Sequence, residues 1–198
     1  MNFIFVLSGW EGSAHDGRVL QSAIGNGFKA PPGRYYLADA GYTSTIDLLL
    51  TPYQKTRYHL KEWERASKRP ETSEEIFNLR HSQARNVVER TFGVFKSRFQ
   101  ILKKGRDGFS LYTQMKLVYA LTALHNFLNA HGWNPEEEAA QLEAQDEDLT
   151  DPMAPRPAED IDDRAMRTRR DEIAGMIWRD YLDIRASRAR FDDLGEPL

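Results

Sequence analysis

The hydrophobic pattern of the first forty residues alternates short apolar segments with turn residues. Phe3–Leu7 is a nearly continuous run of aromatic and β-branched residues that ends at Ser8-Gly9, which predicts a buried strand. Apolar residues then recur at helical spacing between residues 19 and 24, and Arg34–Asp39 has the composition of a second strand. Because a strand, a helix and a strand follow in this order, we expect a parallel crossover in an α/β fold.

The central part of the chain changes from an aperiodic to a helical pattern. Residues 51–72 are polar, basic and aromatic without a clear period, which predicts a long loop or insertion. Thr72 and Glu75 have the spacing of a capping box, and apolar residues recur at helical spacing from Ile76 to Phe99. We expect this helical region to be interrupted near His81-Ser82.

Two further helices and a linker are predicted towards the C-terminus. Leucines at helical spacing between residues 117 and 128 predict a helix that follows a turn at Gly105–Gly108 and ends near His131-Gly132. Residues 135–163 are acidic and contain prolines, a composition that predicts a disordered linker. Residues 164–190 predict one amphipathic helix that packs on the core or on a partner. At 198 residues, 40% of them hydrophobic, the chain can form one core with an appendage.

The formal net charge of −3 hides an asymmetry along the chain. Residues 1–134 contain 18 Lys and Arg against 11 Asp and Glu, whereas residues 135–198 contain 9 against 19. Residues 54–110 alone contain 14 basic and 7 acidic side chains. A basic middle suits a polyanion such as nucleic acid. A solvated helical surface rich in ion pairs would give the same counts, so charge alone leaves both interpretations open.

Composition excludes several kinds of site. The chain has no cysteine, so it has neither a disulfide nor a thiolate zinc site, which fits a reducing compartment. Its histidines lack the spacing of a zinc hydrolase, and its glycine-rich pieces lack a Walker sequence. No run approaches the roughly 18 apolar residues of a membrane span, and no basic leader is present. We therefore expect a soluble, internal protein without a membrane association.

Two carboxylates stand out by their position. Asp39 ends a predicted strand, and open α/β sheets bind ligands at the carboxyl ends of their strands. Glu89 lies in a helix otherwise patterned for the core, with Arg85 and Lys96 near the same face. A carboxylate flanked by cations suits a metal and phosphate site. The residues also allow Asp39 to be a turn or cap residue and Glu89 to be a surface partner of Arg85 or Lys96.

Three phrases, in this order along the chain, resemble the PIF/Harbinger-type DDE transposases. They are Ser8-Gly-Trp-Glu-Gly-Ser-Ala-His-Asp16, Tyr36-Leu-Ala-Asp-Ala-Gly-Tyr42 and His81-Ser-Gln-Ala-Arg-Asn-Val-Val-Glu-Arg-Thr-Phe-Gly93. The resemblance covers roughly residues 1–131 and fades in the acidic tail. It implies an incomplete RNase H-like nuclease fold that lacks the first strands and carries a helical C-terminal extension. Residues 1–134 are then the C-terminal part of the nuclease domain.

The resemblance also implies catalytic, metal-binding roles for Asp39 and Glu89. The family holds two Mg²⁺ (or Mn²⁺) ions with an Asp, Asp, Glu triad, in which Asp39 matches the second Asp and Glu89 matches the Glu. Two such ions clamp the attacking and leaving oxygens of a phosphodiester. The family's first Asp, in an Asp-Gly-Thr-His-like phrase, has no counterpart here, because Met1 falls at the family's third strand. We therefore expect this chain to be inactive alone.

Asp16 is a candidate for the missing ligand because it belongs to a phrase of the family. Its position at the start of the predicted helix gives it a simpler role as the N-cap, which we favour. Expected contacts with DNA fall in two groups. The first is near Glu89, and the second is in the 51–72 insertion, whose aromatic residues could also be loop anchors. The candidates are Arg85, Arg90, Lys96, Lys55, Arg57 and Trp63.

Our first hypothesis is a fragment of a divalent-metal-dependent DNA endonuclease or transposase from a PIF/Harbinger-like element. The alternative is a non-catalytic, domesticated relic that binds DNA or protein. A third interpretation is an incorrect gene start, with a longer protein supplying the first strands and the acid. The resemblance further implies a nuclear location and a separate Myb-like DNA-binding partner, and it leaves room for an oligomer.

Overall fold

The computed structural model describes residues 1–42, 48–57, 69–102, 108–143 and 164–192. In these ranges the chain is mostly helical, with a small parallel sheet. The elements are α1 (Asp16–Gly25), β1 (Tyr36–Leu37), β2 (Leu49–Leu50), α2 (Ser73–Arg98), a 3₁₀ turn (Gln100–Leu102), α3 (Leu111–Ala130), α4 (Pro135–Glu143) and α5 (Arg164–Asp192). None of the helices in the described ranges has both the length and the apolar composition that crossing a membrane requires.

The chain divides into two compact units. The first unit consists of Met1–Phe28 and Arg85–Ala154, and the second consists of Lys29–Ala84 and Pro155–Leu198. Each unit has its own buried residues, described in turn below.

An aromatic cluster forms the centre of the first unit. The ring of Phe3 packs edge-on against Phe92, Phe95 and His125, with centroid distances of 5.8, 5.0 and 5.3 Å. Val94 and His125 are completely buried. Edge-to-face contacts of this kind stabilise a core beyond the apolar area that they bury.

The N-terminal segment Phe3–Leu7 does not form the predicted strand. Its backbone is held instead by side chains of α3. The Phe3 amide donates to Oδ1 of Asn126 at 2.9 Å, and Nδ2 of Asn126 donates back to the Phe3 carbonyl at 2.7 Å. The Ser8 amide donates to the Tyr119 hydroxyl at 3.1 Å. Because side chains satisfy these groups, the expected crossover between this segment and the strand near Asp39 is wrong.

Helix α1 confirms the predicted helix but corrects its cap. His15 is the N-cap, and its Nδ1 accepts a hydrogen bond from the Gly17 amide at 3.1 Å. Asp16 is the first helical residue, where a carboxylate is favourable because it faces the positive end of the helix dipole. The predicted N-cap role of Asp16 is therefore wrong, since the neighbouring imidazole fills that position.

Helix α2 begins at the predicted capping box and forms one continuous helix. The Glu75 amide donates to Oγ1 of Thr72 at 3.2 Å, and the Glu75 carboxylate accepts from the Glu71 amide at 2.8 Å. The predicted interruption near His81-Ser82 is absent, because α2 continues unbroken through both residues. The polar His81 is tolerated there because its ring is buried and Nε2 lies 3.0 Å from the Leu50 carbonyl oxygen.

The two helices that follow complete the first unit. Ser110 is the N-cap of helix α3, and its hydroxyl accepts from the Thr113 amide at 3.2 Å. The C-cap is His131, near the predicted end of the helix. Residues 135–143, expected in the linker, form α4 instead. Helix α4 is held because Glu138 pairs with Arg98 at 2.7 Å and Ala139 is buried. The rest of the predicted linker, residues 144–163, lies outside the described residues.

The second unit contains the sheet. Strands β1 and β2 are parallel, with Tyr36 opposite Leu49 and Leu37 opposite Leu50. The amides of Tyr36 and Ala38 donate to the carbonyls of Leu48 and Leu50, at 2.8 and 3.0 Å. Strand β1 is a shorter form of the predicted strand 34–39, and β2 was not predicted. A parallel pair within a mainly helical chain is consistent with an α/β nuclease-like domain.

Helix α5 contributes to the core of the second unit. Met166 and Ala174 are each 2% exposed and pack in one cluster with Leu50 and Phe77. The hydroxyl of Tyr53 donates to Oδ1 of Asp171 at 2.6 Å, and burial together with this carboxylate raises the pKa of Tyr53. Helix α5 spans Arg164–Asp192, the region for which the sequence predicts an amphipathic helix over 164–190.

Candidate functional site

Asp39 lies just beyond the end of β1, the position that the sequence predicted for it. The residue before it, Ala38, is buried and donates its amide to the Leu50 carbonyl at 3.0 Å, which fixes the backbone at this point. After Asp39 the chain turns, because the Tyr42 amide donates to the Asp39 carbonyl at 3.1 Å. The side chain of Asp39 is partly exposed. A short, anchored turn therefore presents this carboxylate at the carboxyl end of a parallel strand.

Glu89 lies on the solvent side of α2. The buried side of this part of the helix consists of Thr91, Val94 and Phe95. At 100° per residue, Glu89 points away from those three positions, and its side chain is exposed. The helix therefore holds the Glu89 carboxylate towards solvent, with the core on its opposite side.

Two cations share the face of Glu89. Arg85 is four residues before it and Lys96 is seven residues after it, so both project from the same side of α2. Lys96 is exposed and Arg85 is partly buried. Arg90, the next residue after Glu89, is partly buried and lies towards the flank of this face. The face thus combines one carboxylate with basic residues at fixed helical spacing.

Gly93 lies one turn beyond Glu89 on the same face. A side chain at this position would meet no atom of the described residues within 4 Å. Glycine inside a helix costs about 0.5–1 kcal/mol relative to alanine, because its unfolded backbone has more freedom to lose. Close packing within the described chain therefore does not explain the glycine, and open space remains beside the carboxylate.

The candidates in the 51–72 insertion are described only in part. Lys55 is exposed and has a positive φ of 58°, and Arg57 is partly buried with Nη2 3.9 Å from a carboxylate oxygen of Glu75. Trp63 lies within residues 58–68, outside the described residues. The contacts with DNA expected for these three residues, and for Arg85, Arg90 and Lys96, stay predictions.

Asp39, Glu89 and Asp16 are the carboxylates that the sequence proposes as metal ligands. Asp39 belongs to the second unit, and Glu89 and Asp16 belong to the first. Carboxylate oxygens are the ligands that Mg²⁺ and Mn²⁺ prefer, so these residues fit such an ion in kind. They do not fit in number, since within the described ranges no group of three or more His, Cys, Asp or Glu side chains is arranged to hold a metal ion. The metal-binding roles therefore stay predictions.

Asn78 and His81 have structural roles that sequence reasoning missed. The completely buried Asn78 accepts from the Tyr53 amide at 2.8 Å and donates to the carbonyls of Tyr53 and Thr56, at 3.0 and 3.3 Å. His81 reaches the Leu50 carbonyl, as described above. Both residues thus fix the chain that leaves β2. The signal was available, because buried polar residues in a helix indicate hydrogen-bond partners in the fold.

A second polar network in the first unit surrounds Arg98. Its guanidinium makes two hydrogen bonds of 2.7 Å with the Glu138 carboxylate and one of 2.6 Å with Oδ1 of Asn129. It also donates to Nδ1 of His125 at 3.1 Å, and Nε2 of His125 reaches the Met1 carbonyl at 2.9 Å. Because the hydrogen bonds of this network run to acceptors within the chain, we assign it to the fold.

Comparisons with known proteins identify relatives of this chain. Residues 1–126 match a family model described as DDE superfamily endonuclease. The proteins named "Putative nuclease HARBI1" from Homo sapiens and Bos taurus are each 29% identical to the chain, over 158 and 160 residues. Each match covers 71% of this chain and 42% of the relative, so the chain spans less than half of these proteins. No solved structure matches the chain significantly.

Proposed function

The chain belongs to the DDE superfamily endonucleases, and on this premise we propose that it is part of a divalent-metal-dependent nuclease that acts on DNA, with Asp39 and Glu89 as metal-binding carboxylates. The observation that carries the proposal is that both carboxylates lie within the matched residues, in phrases that resemble the family's second Asp and its Glu. The names of the two relatives agree with a nuclease, although each is a longer protein.

The surroundings of each carboxylate support this assignment. Glu89 projects to the solvent side of α2, so a phosphodiester can approach it without displacing a core residue. Arg85 and Lys96 on the same face attract a polyanion and offset its charge. Asp39 is held by the anchored turn after β1. Asp39 and Glu89 would contribute carboxylate ligands to a Mg²⁺ or Mn²⁺ ion, which would supply Lewis-acid stabilisation of charge on the phosphodiester oxygens.

In its full form, the proposal describes an incomplete RNase H-like nuclease from a PIF/Harbinger-like element. Asp39 and Glu89 match two of the three acids of the triad, and a two-ion site needs all three. The chain alone therefore binds metal weakly and does not cleave DNA. A nuclear location, a Myb-like partner and oligomer formation belong to the same proposal and rest on the resemblance alone.

Metal binding tests the assigned carboxylates without relying on cleavage. Titration of the 198-residue chain with Mn²⁺, followed by electron paramagnetic resonance of the free ion, should reveal a site. Asp39→Asn and Glu89→Gln should each weaken that site about tenfold or more, because each removes a charged ligand. Glu172→Gln is the matched control, since Glu172 is an exposed carboxylate of α5. Equal Mn²⁺ affinity in all four proteins would contradict the assignment.

Cleavage of a supercoiled plasmid with Mg²⁺ or Mn²⁺ tests the completeness of the site. We expect no nicking by the chain alone. Nicking by the unmodified chain that disappears in Glu89→Gln would support the nuclease and show that another group replaces the third acid. Nicking that persists in Glu89→Gln and Asp39→Asn would show that neither carboxylate takes part.

A second function is favoured by the apolar residues beside Glu89. Val88 and Phe92 on α2 are 42% and 46% exposed. A face that binds only metal and phosphate does not need exposed hydrophobic side chains. These residues suit a non-catalytic role in which the chain binds DNA or a protein. Retained DNA binding without any Mn²⁺ site would favour this role over the nuclease.

A further inference from the structure

A cavity of about 260 Å³ lies within the second unit, and part of its lining comes from residues 30–35, shortly before Asp39 in the sequence. One wall is the turn Pro31–Gly33 with the following Arg34 and Tyr35, and the other is formed by Met166 and Arg169 of α5. Among the residues that the structure describes, no acidic side chain lines it. The sequence patterns assigned these residues to a strand and to a helix, and none of them indicated a ligand site here.

The charge of the cavity is uncompensated within the described chain. Arg34 and Arg169 are both exposed, and neither forms an ion pair with any residue that the structure describes. The guanidinium of Arg169 lies over the ring of Tyr35, 5.2 Å from its centroid. Stacking on an aromatic face leaves the in-plane N–H donors of arginine available to an anion.

The start of α5 adds to the positive potential at this place. Arginine occupies four of its first seven positions, and its first turn contains no acidic residue. The dipole of a helix disfavours cations at its N-terminus, so this composition works against the helix itself. The next residue, Asp171, accepts from the Tyr53 hydroxyl at 2.6 Å and lies 3.9 Å from Nε of Arg170. Arg169 lines the cavity and is therefore the arginine of this group that an anion in the cavity would reach.

The walls of the cavity are fixed before any ligand arrives. The pyrrolidine rings of Pro31 and Pro32 restrict φ, and Gly33 adopts a positive φ of 71° that closes the turn. The Arg34 amide donates to the Pro31 carbonyl at 3.0 Å. Met166, which is 2% exposed, anchors the α5 wall in the core. Such preorganisation lowers the ordering cost of binding.

We propose that this cavity binds a phosphate of the DNA backbone, with the guanidinium groups of Arg34 and Arg169 as its two donors. Planar guanidinium groups form paired, charge-assisted hydrogen bonds with phosphate oxygens. The site extends the proposed function, on which it rests, because it would hold DNA through the second unit rather than at Glu89. A free phosphate ion shares this chemistry, and the experiment separates the two sources.

The test measures binding of a short fluorescein-labelled DNA duplex by anisotropy, in buffer with EDTA, so that neither metal binding nor cleavage affects the result. The double variant Arg34→Gln/Arg169→Gln should weaken binding at least about tenfold and reduce the salt dependence by about one phosphate contact. Arg179→Gln is the matched control, because Arg179 is an exposed arginine of the same helix. This control should lower the affinity for DNA by no more than about twofold to threefold, because salt largely screens one distant charge.

The outcomes distinguish this site from the nuclease proposal. A selective loss in the double variant, with an unchanged melting temperature and unchanged Mn²⁺ binding, supports the cavity. Wild-type DNA affinity in the double variant overturns the proposal. A second control, Arg179→Gln/Arg188→Gln, replaces two arginines distant from the cavity in the sequence, and an equal loss of DNA affinity in this control also overturns it. Inorganic phosphate could stabilise the wild type while the double variant still binds DNA with unchanged affinity. This result would mean that the cavity binds only the free ion, and it would also overturn the proposal.

Discussion

The guanidinium of Arg98 donates a hydrogen bond to Nδ1 of His125 across 3.1 Å. Since arginine only donates, Nδ1 carries a lone pair and the imidazole is neutral, with its proton on Nε2 facing the Met1 carbonyl at 2.9 Å. Burial of the ring is the largest cause that lowers the pKa of His125. The bond with Met1 opposes this shift, and the Arg98 charge adds to it.

A pH dependence of stability follows from this arrangement. Below the ordinary imidazole pKa of about 6.5, the unfolded chain takes up a proton that the folded chain resists, so the free energy of unfolding should fall as pH decreases. Urea unfolding at neutral pH and one unit below that pKa measures the effect. His125→Gln should flatten the dependence, whereas His131→Gln, at an exposed ring, should keep it. An identical slope in His125→Gln would refute the prediction.

Removal of the Arg98 charge should strongly destabilise the first unit. The Arg98 side chain is 4% exposed and its partner Glu138 is 25% exposed. Arg98→Leu leaves Glu138, Asn129 and His125 without their common donor, and we expect a loss of about 2–3 kcal/mol in unfolding free energy. Lys96→Leu, at an exposed position of the same helix, should change it by less than about 0.5 kcal/mol. Similar losses in both variants would argue against a specific network.

The amide of Asn78 should be equally important for the second unit. Asn78→Ala removes three hydrogen bonds and leaves the Tyr53 amide without its acceptor, so we expect a loss of about 2–3 kcal/mol. Chemical denaturation gives the value. Asn86→Ala, at a partly exposed position of the same helix, is the control and should cost less than 1 kcal/mol, roughly the effect of a surface change. A mild effect of Asn78→Ala would mean that water replaces its amide.

Gly93→Ala should stabilise the protein and impair ligand binding at the Glu89 face. Open space surrounds the position, so alanine should add about 0.5–1 kcal/mol to the unfolding free energy. Gly175→Ala in α5 is matched, because a side chain there also meets no atom within 4 Å. Both variants should gain stability, and only Gly93→Ala should lower Mn²⁺ or DNA affinity. Unchanged affinity in Gly93→Ala would show that the open space serves no ligand.

Helical elements were predicted better than strands. The box of Thr72 and Glu75 and the leucine pattern of residues 117–128 are local signals, and α2 and α3 begin or end where those signals occur. The Phe3–Leu7 prediction failed because the hydrogen-bond partner of this segment is an amide 123 positions away in the chain. Strand β2 was missed although its three consecutive leucines, Leu48–Leu50, are a short apolar run.

The remaining errors have the same origin in distant contacts. The acidic composition of residues 135–143 gave no hint that Arg98 would pair with Glu138 and hold a helix there. The interruption expected at His81 was wrong because burial against Leu50 satisfies its polar ring. For the candidate site, the phrases located Asp39 at a strand end and Glu89 on a helix. The chemistry of these two carboxylates depends on which other side chains lie near them in the folded chain, and the local sequence pattern does not give those neighbours.

The pairing of Asn126 with Phe3 changes how the register of the N-terminal segment is set. In a ladder, every residue contributes to register, and a slip by one position moves all side chains to the opposite face. Here the side-chain amide of Asn126 binds the backbone amide and carbonyl of Phe3. The Phe3 ring packs against Phe92, Phe95 and His125. A slip would displace this ring and two further contacts of the segment, the Phe5 ring against Phe28 and the Ser8 amide on the Tyr119 hydroxyl. Alignment of this segment is thus encoded at a few separate contacts rather than along a continuous strand.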